Sequence, residues 1–258
     1  MTAVVDTAFS TESGSKRADR VRLFAQPAAV IVIVGAALVW ALTRNNDAIE
    51  AKNLNLSTIG ARTWQHLLIT IVVAAIVVVV AVPLGMVLTR PWAKPVVPVF
   101  LAIANIGQAA HALGVLVLFF QWTSWEGLWC AALPLAFYAL LPVLRNTIVG
   151  IHGIDPALID AGRGIGMSSL GVLFRIEMPL AIPLILAGLR TSLVLAVGTA
   201  TLAFFVNGGG LGELIDTGYK LNRMPVLITG AVLAVGLALL IDWLGAVLEQ
   251  VFGPKGLT

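Results

Sequence analysis

The chain has 258 residues, of which 59% are hydrophobic and 11% are charged, and its mean hydropathy is +0.98. A soluble domain has about a quarter of its residues charged, so this composition excludes an ordinary soluble protein and predicts one membrane-embedded bundle. The net charge of +3 comes largely from basic residues that flank apolar runs, which is typical of membrane topology, and no nucleic-acid partner is expected. The single cysteine, Cys130, excludes an intrachain disulfide.

Six apolar segments reach or approach the length of about 20 residues that a helix needs to cross the hydrocarbon core. They cover about residues 28–42, 67–88, 96–120, 128–148, 180–206 and 226–248. The first is short and follows basic residues, so a cleaved signal peptide is the alternative to a retained helix. The sequence therefore predicts an all-α integral membrane protein with about six transmembrane helices. Residues 26–252 form the membrane domain, between a flexible tail over 1–25 and a short tail over 253–258.

The distribution of basic residues predicts the orientation, because Lys and Arg concentrate in cytoplasmic loops. Basic residues occur in the N-terminal tail, after the second span and between the fourth and fifth spans, whereas the loop between the third and fourth spans has none. We therefore expect a multi-pass protein of the bacterial inner membrane with both termini in the cytoplasm. The loop between the fourth and fifth spans lies on that same side.

That loop is polar and rich in glycine, and it reads D-A-G-R-G-I-G-M-S-S-L-G-V-L-F-R-I-E-M-P over residues 160–179. Asp155 before Pro156 is typical of a helix start, Gly166 permits a sharp turn, and Ser168 or Ser169 can cap a second short helix. Pro179 is expected to end it. A helix-turn-helix on the cytoplasmic face is predicted over about 151–179, and a flexible connector is the alternative. Its apolar side chains would dock into a groove on another protein; they are Leu170, Leu173, Phe174 and Ile176.

The same stretch resembles the EAA motif of ABC-transporter permease subunits, E-A-A-x3-G-x9-I-x-L-P. The positions that take part are, in order, Asp160, Ala161, Gly162, Gly166, Ile176 and Pro179. Asp stands in place of Glu, Gly in place of the second Ala, and Met178 in place of Leu. The resemblance implies a bundle like that of type I ABC importers. It also implies that this loop forms the coupling helix, which sits in a cleft of an ATP-binding subunit.

Three further segments resemble the osmoprotectant permeases, which import glycine betaine, carnitine, choline and proline. They are A-N-I-G-Q at 104–108, L-R-N-T at 144–147 and N-G-G-G-L-G-E at 207–213. Methionine importers have a similar glycine-rich segment, so an amino-acid importer is the alternative within the class. An ion-coupled carrier or a membrane-embedded enzyme is the alternative outside it. The glycine-rich segment itself is interpreted as a tight re-entrant or gate-proximal turn, with a plain connector as the alternative.

The sequence contains no G-x-x-x-x-G-K-[ST] loop for ATP phosphates and no His/Cys/Asp cluster with metal-ligand spacing. The chain is therefore not expected to be an enzyme or to hold a metal or cofactor. The resemblance implies that ATP and Mg are bound by two partner ATP-binding subunits. It also implies a second permease, identical or paralogous, and an extracytoplasmic binding protein. Quaternary ammonium recognition is expected mainly on that binding protein, because no aromatic cluster is visible deep in the spans.

Polar residues inside the spans are the remaining candidates. Asn105, Gln108 and His111 recur near one helical turn, so they are predicted to share a face and to line the translocation pathway. Interhelical hydrogen bonding is the alternative. Arg190 and Asp242 lie at matching depth in the fifth and sixth spans. They are predicted to form an ion pair, with a structural role favoured over gating.

Overall fold

The structure is a computed structural model that describes residues 24–252, and every regular element in this range is helical. The predicted tail over 1–25 therefore lies almost entirely outside the described residues, as does the tail over 253–258. The α-helices are α1 (Phe24–Thr43), α2 (Ala48–Asn53), α3 (Leu56–Leu88), α4 (Val97–Ala109), α5 (Ala112–Thr123), α6 (Leu128–His152), α7 (Pro156–Gly164), α8 (Ser169–Val172), α9 (Met178–Ala200), α10 (Leu211–Lys220) and α11 (Met224–Phe252).

Within residues 24–252, five helical stretches are long and apolar enough to cross a membrane: α1, α3, α6, the run Ser169–Val206 that contains α9, and α11. The third predicted span, about residues 96–120, is not one continuous helix. It is divided into α4 and α5, which meet at an angle of 99°. Ala110 and His111 at the junction have extended backbones. No proline marks the break. Gly107 in the last turn of α4 packs so tightly on the Phe137 ring of α6 that an added Cβ would lie 2.6 Å from its Cε1 atom.

The ends of the bent pair show how it relates to the bundle. α4 follows the turn at Arg90, whose side chain is paired with Glu177 at the start of α9. α5 is followed by Gly127, whose amide donates to the carbonyl of Val206 beyond the far end of α9 (2.7 Å). The pair thus begins at one end of the bundle and finishes at the other. It makes a single crossing, which brings the total in the described part of the chain to six.

The centre of the bundle is α6, which packs against α3, α4, α5 and α9. Its core neighbours on α3 include Ile69, Val73 and Val77, all fully buried. Small residues bring α6 and α9 close: a Cβ on Gly188 would lie 2.7 Å from the Pro142 carbonyl oxygen. Such close contacts are how membrane helices gain packing energy when lipid is as apolar as the helix surface.

α1 and α2 lie at the edge of the bundle against α11. Gln26 donates from Nε2 to the Leu239 carbonyl (3.1 Å), and these contacts favour a first helix that stays with the bundle. Between α1 and α2, Asp47 accepts from the amide of Glu50 (2.7 Å) and pairs with Arg223 at the start of α11. The Glu50 hydrogen bond, assisted by Arg223, holds the pKa of the Asp47 carboxyl below its usual value.

Candidate coupling loop and translocation face

The loop after α6 has the predicted helix-turn-helix form. Asp155 caps α7, its Oδ1 accepting from the Ala157 amide (2.9 Å). Ser168 caps α8, its Oγ accepting from the Gly171 amide (3.2 Å). Between the helices Gly166 has φ +87°, a left-handed conformation that side chains with a Cβ adopt only under strain. Local cap and turn chemistry therefore forms this loop.

The second short helix does not end at Pro179 as predicted. The chain continues from α8 through a π-helical turn, Leu173–Glu177, directly into α9. Proline lacks the amide that an α-helix needs and crowds the carbonyl four residues earlier, and the wider π turn just before it accommodates both. The loop and the fifth span are consequently one continuous helical run, Ser169–Val206.

The residues of the EAA-like motif divide into two groups. Gly162 is buried and faces Ile176 across the loop, where an added Cβ would lie 2.6 Å from the Ile176 Cδ1 atom. These two hold α7 against the π turn. The remaining motif positions are exposed at the surface: Asp160, Ala161, Gly166 and Pro179. The glycine in place of the second Ala therefore allows a close packing contact.

The exposed apolar surface of the loop is smaller than predicted and shifted in position. Leu170 and Phe174 are 68% and 59% exposed, but Leu173 is buried and Ile176 is partly buried. Ile165, next to the Gly166 turn, is 77% exposed and extends the patch. The difference coincides with the π turn, which begins at Leu173 and buries both Leu173 and Glu177.

An ion pair that the sequence reading missed joins this loop to the end of α3. Glu177 in the π turn is 4% exposed, and its carboxylate is paired with Arg90. Arg90 is oriented by its own helix end, donating to the Thr89 hydroxyl (3.0 Å) and the Met86 carbonyl (3.3 Å). The sequence does offer one signal for this pair: Glu177 is a lone carboxylate immediately before an apolar span. A charge that becomes buried there needs a partner of opposite charge.

The polar triplet is placed in two different elements. Asn105 and Gln108 lie one turn apart on α4, whereas His111 follows the end of that helix and precedes α5. The predicted common helical face is therefore wrong for His111. Asn105 and His111 are exposed and Gln108 is partly buried, and Asn105 donates to the Leu101 carbonyl of its own helix (2.7 Å).

At the opposite end of the bundle, the glycine-rich turn after α9 is fastened to α3. Gln65 Oε1 accepts from the Gly210 amide (3.2 Å), and His66 Nδ1 accepts from the Leu211 amide (3.4 Å). His66 is completely buried, and its Nε2 lies 3.0 Å from the Val197 carbonyl, which assigns the Nε2–H tautomer. These contacts favour a structured turn over a plain connector.

Comparison with known proteins identifies the chain. Residues 81–252 match the family described as "Binding-protein-dependent transport system inner membrane component". The chain belongs to this family. It is 41% identical over 196 residues to the glycine betaine/carnitine/choline transport system permease protein OpuCB of Bacillus subtilis (strain 168), covering 76% of this chain and 89% of that one.

Two more comparisons agree with this assignment. The osmoprotectant import permease protein OsmW of Salmonella typhimurium is 33% identical over 213 residues, which cover 82% of this permease and 99% of its relative. The solved MetNI methionine ABC transporter contains a chain with a TM-score of 0.66 and 25% identity, covering 76% of this permease and 96% of that chain. The fold is thus that of type I ABC importer permeases, and the chain is a transport subunit of an integral membrane system.

Arg190 and Asp242 are in contact in the permease. Arg190 Nε lies 2.7 Å from Asp242 Oδ1 and Arg190 Nη2 lies 3.0 Å from Oδ2, a bidentate pair between α9 and α11. Gln26 of α1 approaches the same carboxylate (3.5 Å), and Glu249 lies 3.7 Å from the guanidinium. Three helices therefore meet at one charged cluster. No group of three metal-ligating side chains occurs within residues 24–252.

The pair and its neighbour allow a matched test of a structural role. We expect Asp242→Asn to lower the stability of the purified permease by about 1 kcal/mol, a value reduced for partial exposure, because both hydrogen bonds to Arg190 weaken. Glu249→Gln, at the longer distance to the same guanidinium, should leave it nearly unchanged. Thermal unfolding of both variants in detergent measures the difference. Equal melting temperatures would contradict the structural role.

Proposed function

We propose that the chain is the membrane permease subunit of an ATP-driven importer of osmoprotectants such as glycine betaine, choline, carnitine or proline. The observation that carries the proposal is the coupling loop: two capped helices around Gly166 that expose Leu170 and Phe174 and continue into a membrane span. The names of the relatives at 33–41% identity support the substrate class.

Coupling would follow from the continuity between loop and span. Two ATP-binding subunits, which bind ATP and Mg, would hold the exposed patch of α7 and α8 from the cytoplasm. Their closure on ATP would move the loop, and because α8 runs on into α9 the motion would reach the bundle directly. The buried contact between Gly162 and Ile176 supports this account, since it makes the two short helices move together.

A second permease copy, identical or paralogous, would complete the pathway. Asn105 is exposed within a crossing helix, and a polar amide facing lipid is costly. A water-filled path between two copies would relieve that cost. An extracytoplasmic binding protein would deliver solute at the end that carries the glycine-rich turn. In this arrangement both termini lie in the cytoplasm.

The pathway assignment predicts a kinetic effect. Replacing Gln108 with alanine should change KM or the maximal uptake rate by about fivefold, the equivalent of one lost hydrogen bond to solute or pathway water. Ile106→Ala, at an exposed apolar position of the same helix, is the matched control and should change neither. The measurement is uptake by the reconstituted transporter. Unchanged kinetics in Gln108→Ala would remove this residue from the pathway.

The substrate is tested by uptake of labelled glycine betaine against labelled methionine, with the cognate binding protein and ATP present. We expect betaine uptake that depends on ATP and on the binding protein. Methionine uptake without betaine uptake would favour the alternative, which rests on the structural similarity to the methionine transporter. Absence of a co-purifying ATP-binding subunit would contradict the importer assignment itself.

A further inference from the structure

The end of the bundle opposite the coupling loop has an open cleft lined by Trp125, Glu126, Trp129 and Leu133. Its volume is about 540 Å³, which lies in the range of small-molecule sites. Trp125 and Trp129 are 53% and 57% exposed, so their rings remain accessible to a ligand. The cleft follows the α5–α6 turn at Gly127, which is hydrogen-bonded to the carbonyl of Val206 beside the glycine-rich turn.

Two of the groups that line the cleft, Trp125 and Glu126, are held by neighbouring side chains. The ring of Trp125 meets Phe119 edge to face, with centroids 6.2 Å apart and planes at 82°. Glu126 Oε2 accepts from Asn207 Nδ2 (2.8 Å), which leaves the second carboxylate oxygen available. Trp129 stands on the first turn of α6. Positioned groups of this kind reduce the entropic cost of binding.

The chemistry of the cleft suits an organic cation. Indole rings attract cations through the ring quadrupole, and the Glu126 carboxylate adds charge attraction. No Lys or Arg lines the cleft, and none within residues 24–252 pairs with Glu126. A tryptophan that only anchors the membrane interface needs no such carboxylate.

We propose that this cleft is a binding subsite for the quaternary ammonium group of the transported solute. The inference rests on the proposed function, and it assigns to the permease itself a weak recognition site beside the mouth of the pathway. Trimethylammonium groups occur both on free solutes and on phosphatidylcholine headgroups. The two sources are distinguished by varying the lipid and the free solute separately.

The test uses the intact transporter in nanodiscs of phosphatidylglycerol, which carry no choline headgroup, with choline as the probe. Saturation-transfer NMR measures transfer from the protein to the N-methyl protons. Empty phosphatidylglycerol nanodiscs give the baseline, because the anionic lipid itself attracts choline. Above that baseline, we expect binding of choline that is at least about threefold tighter than binding of 3,3-dimethylbutanol, its uncharged isostere, because only choline gains the cation–π and carboxylate attraction. Equal affinity for both would overturn the proposal.

Variants locate the site. Two variants are used: the single substitution Glu126→Gln, and the double substitution Trp125→Leu with Trp129→Leu. Each variant should weaken choline binding about threefold or more. Trp64→Leu removes an indole of similar exposure that does not line the cleft and should have no effect. Equal binding in all variants overturns the proposal. Phosphatidylcholine is then substituted for part of the lipid at a constant choline concentration. Loss of the choline saturation-transfer signal of the wild type would also overturn the proposal, because the site would then bind the lipid headgroup.

Failure of this subsite is distinguishable from failure of the proposed function. Suppose that the wild-type transporter takes up betaine, but choline binding is unaffected by substitutions at Glu126, Trp125 and Trp129. The importer assignment then stands and the subsite is rejected. Folding of each variant is checked by co-purification with the ATP-binding subunit. Should the double tryptophan variant fail that check, Glu126→Gln alone decides, because it preserves size and the acceptor for Asn207.

Discussion

Replacing Gly166 with valine should abolish coupled transport while the permease still inserts in the membrane. The residue has φ +87°, and nothing lies within 4 Å of where its Cβ would be, so conformation and not space is the obstacle. A left-handed backbone costs a residue with a Cβ about 1–2 kcal/mol, and a β-branched side chain costs more. The turn between α7 and α8 would open, and the patch formed by Ile165, Leu170 and Phe174 would lose its shape.

Gly164 provides the matched control two residues earlier. It also has open space around its Cβ position, but it ends α7 with no positive φ. Gly164→Val should therefore change stability by less than about 0.5 kcal/mol. The measurement is co-purification with the ATP-binding subunit, followed by ATP-dependent uptake in proteoliposomes. If Gly166→Val retains both at the level of Gly164→Val, the turn does not carry coupling.

Replacing Glu177 with glutamine should separate ATP hydrolysis from solute movement. The carboxylate is buried and paired with Arg90, so the substitution leaves the Arg90 charge without its counterion. We expect a loss of about 2 kcal/mol in stability, less than for a fully buried pair because Arg90 retains some exposure. The ratio of ATP hydrolysed to solute imported should rise, because α3 would no longer follow the π turn.

The control for Glu177→Gln is Asp216→Asn, which removes the acid of the i,i+4 pair with the largely exposed Lys220 on α10 (2.8 Å). Pairs at this helical spacing contribute about 0.3–0.5 kcal/mol, so both stability and the hydrolysis ratio should stay near wild type. A second variant, Arg90→Gln with Glu177→Gln, removes both charges and should recover stability. A normal hydrolysis ratio in Glu177→Gln would refute the mechanical role of the pair.

The coupling loop could be predicted because its determinants are local. Asp155 with Pro156, Gly166 and Ser168 each act within three residues of their own position, and the structure has a cap or turn at every one of them. The spans followed from apolar length, which depends on composition alone. These features require no knowledge of which helices are neighbours.

The features that sequence reasoning missed depend on distant partners. Glu177 and Arg90 are 87 positions apart, and His66 and Leu211 are 145 positions apart. The break between α4 and α5 likewise occurs without proline, next to the tight contact of Gly107 with Phe137. Periodicity and spacing cannot reveal such contacts, because tertiary packing decides them.

The helical run Ser169–Val206 has 38 residues, which at the rise of an α-helix is about 57 Å. The whole bilayer with its headgroups is about 40–45 Å thick, so the run is longer than a perpendicular crossing requires. If the run moved as one body, a tilt of 10° about one end would displace the other end by about 10 Å. The far end carries the glycine-rich turn held by Gln65 and His66. Under the proposed function, those hydrogen bonds would resist any ATP-driven movement of the run.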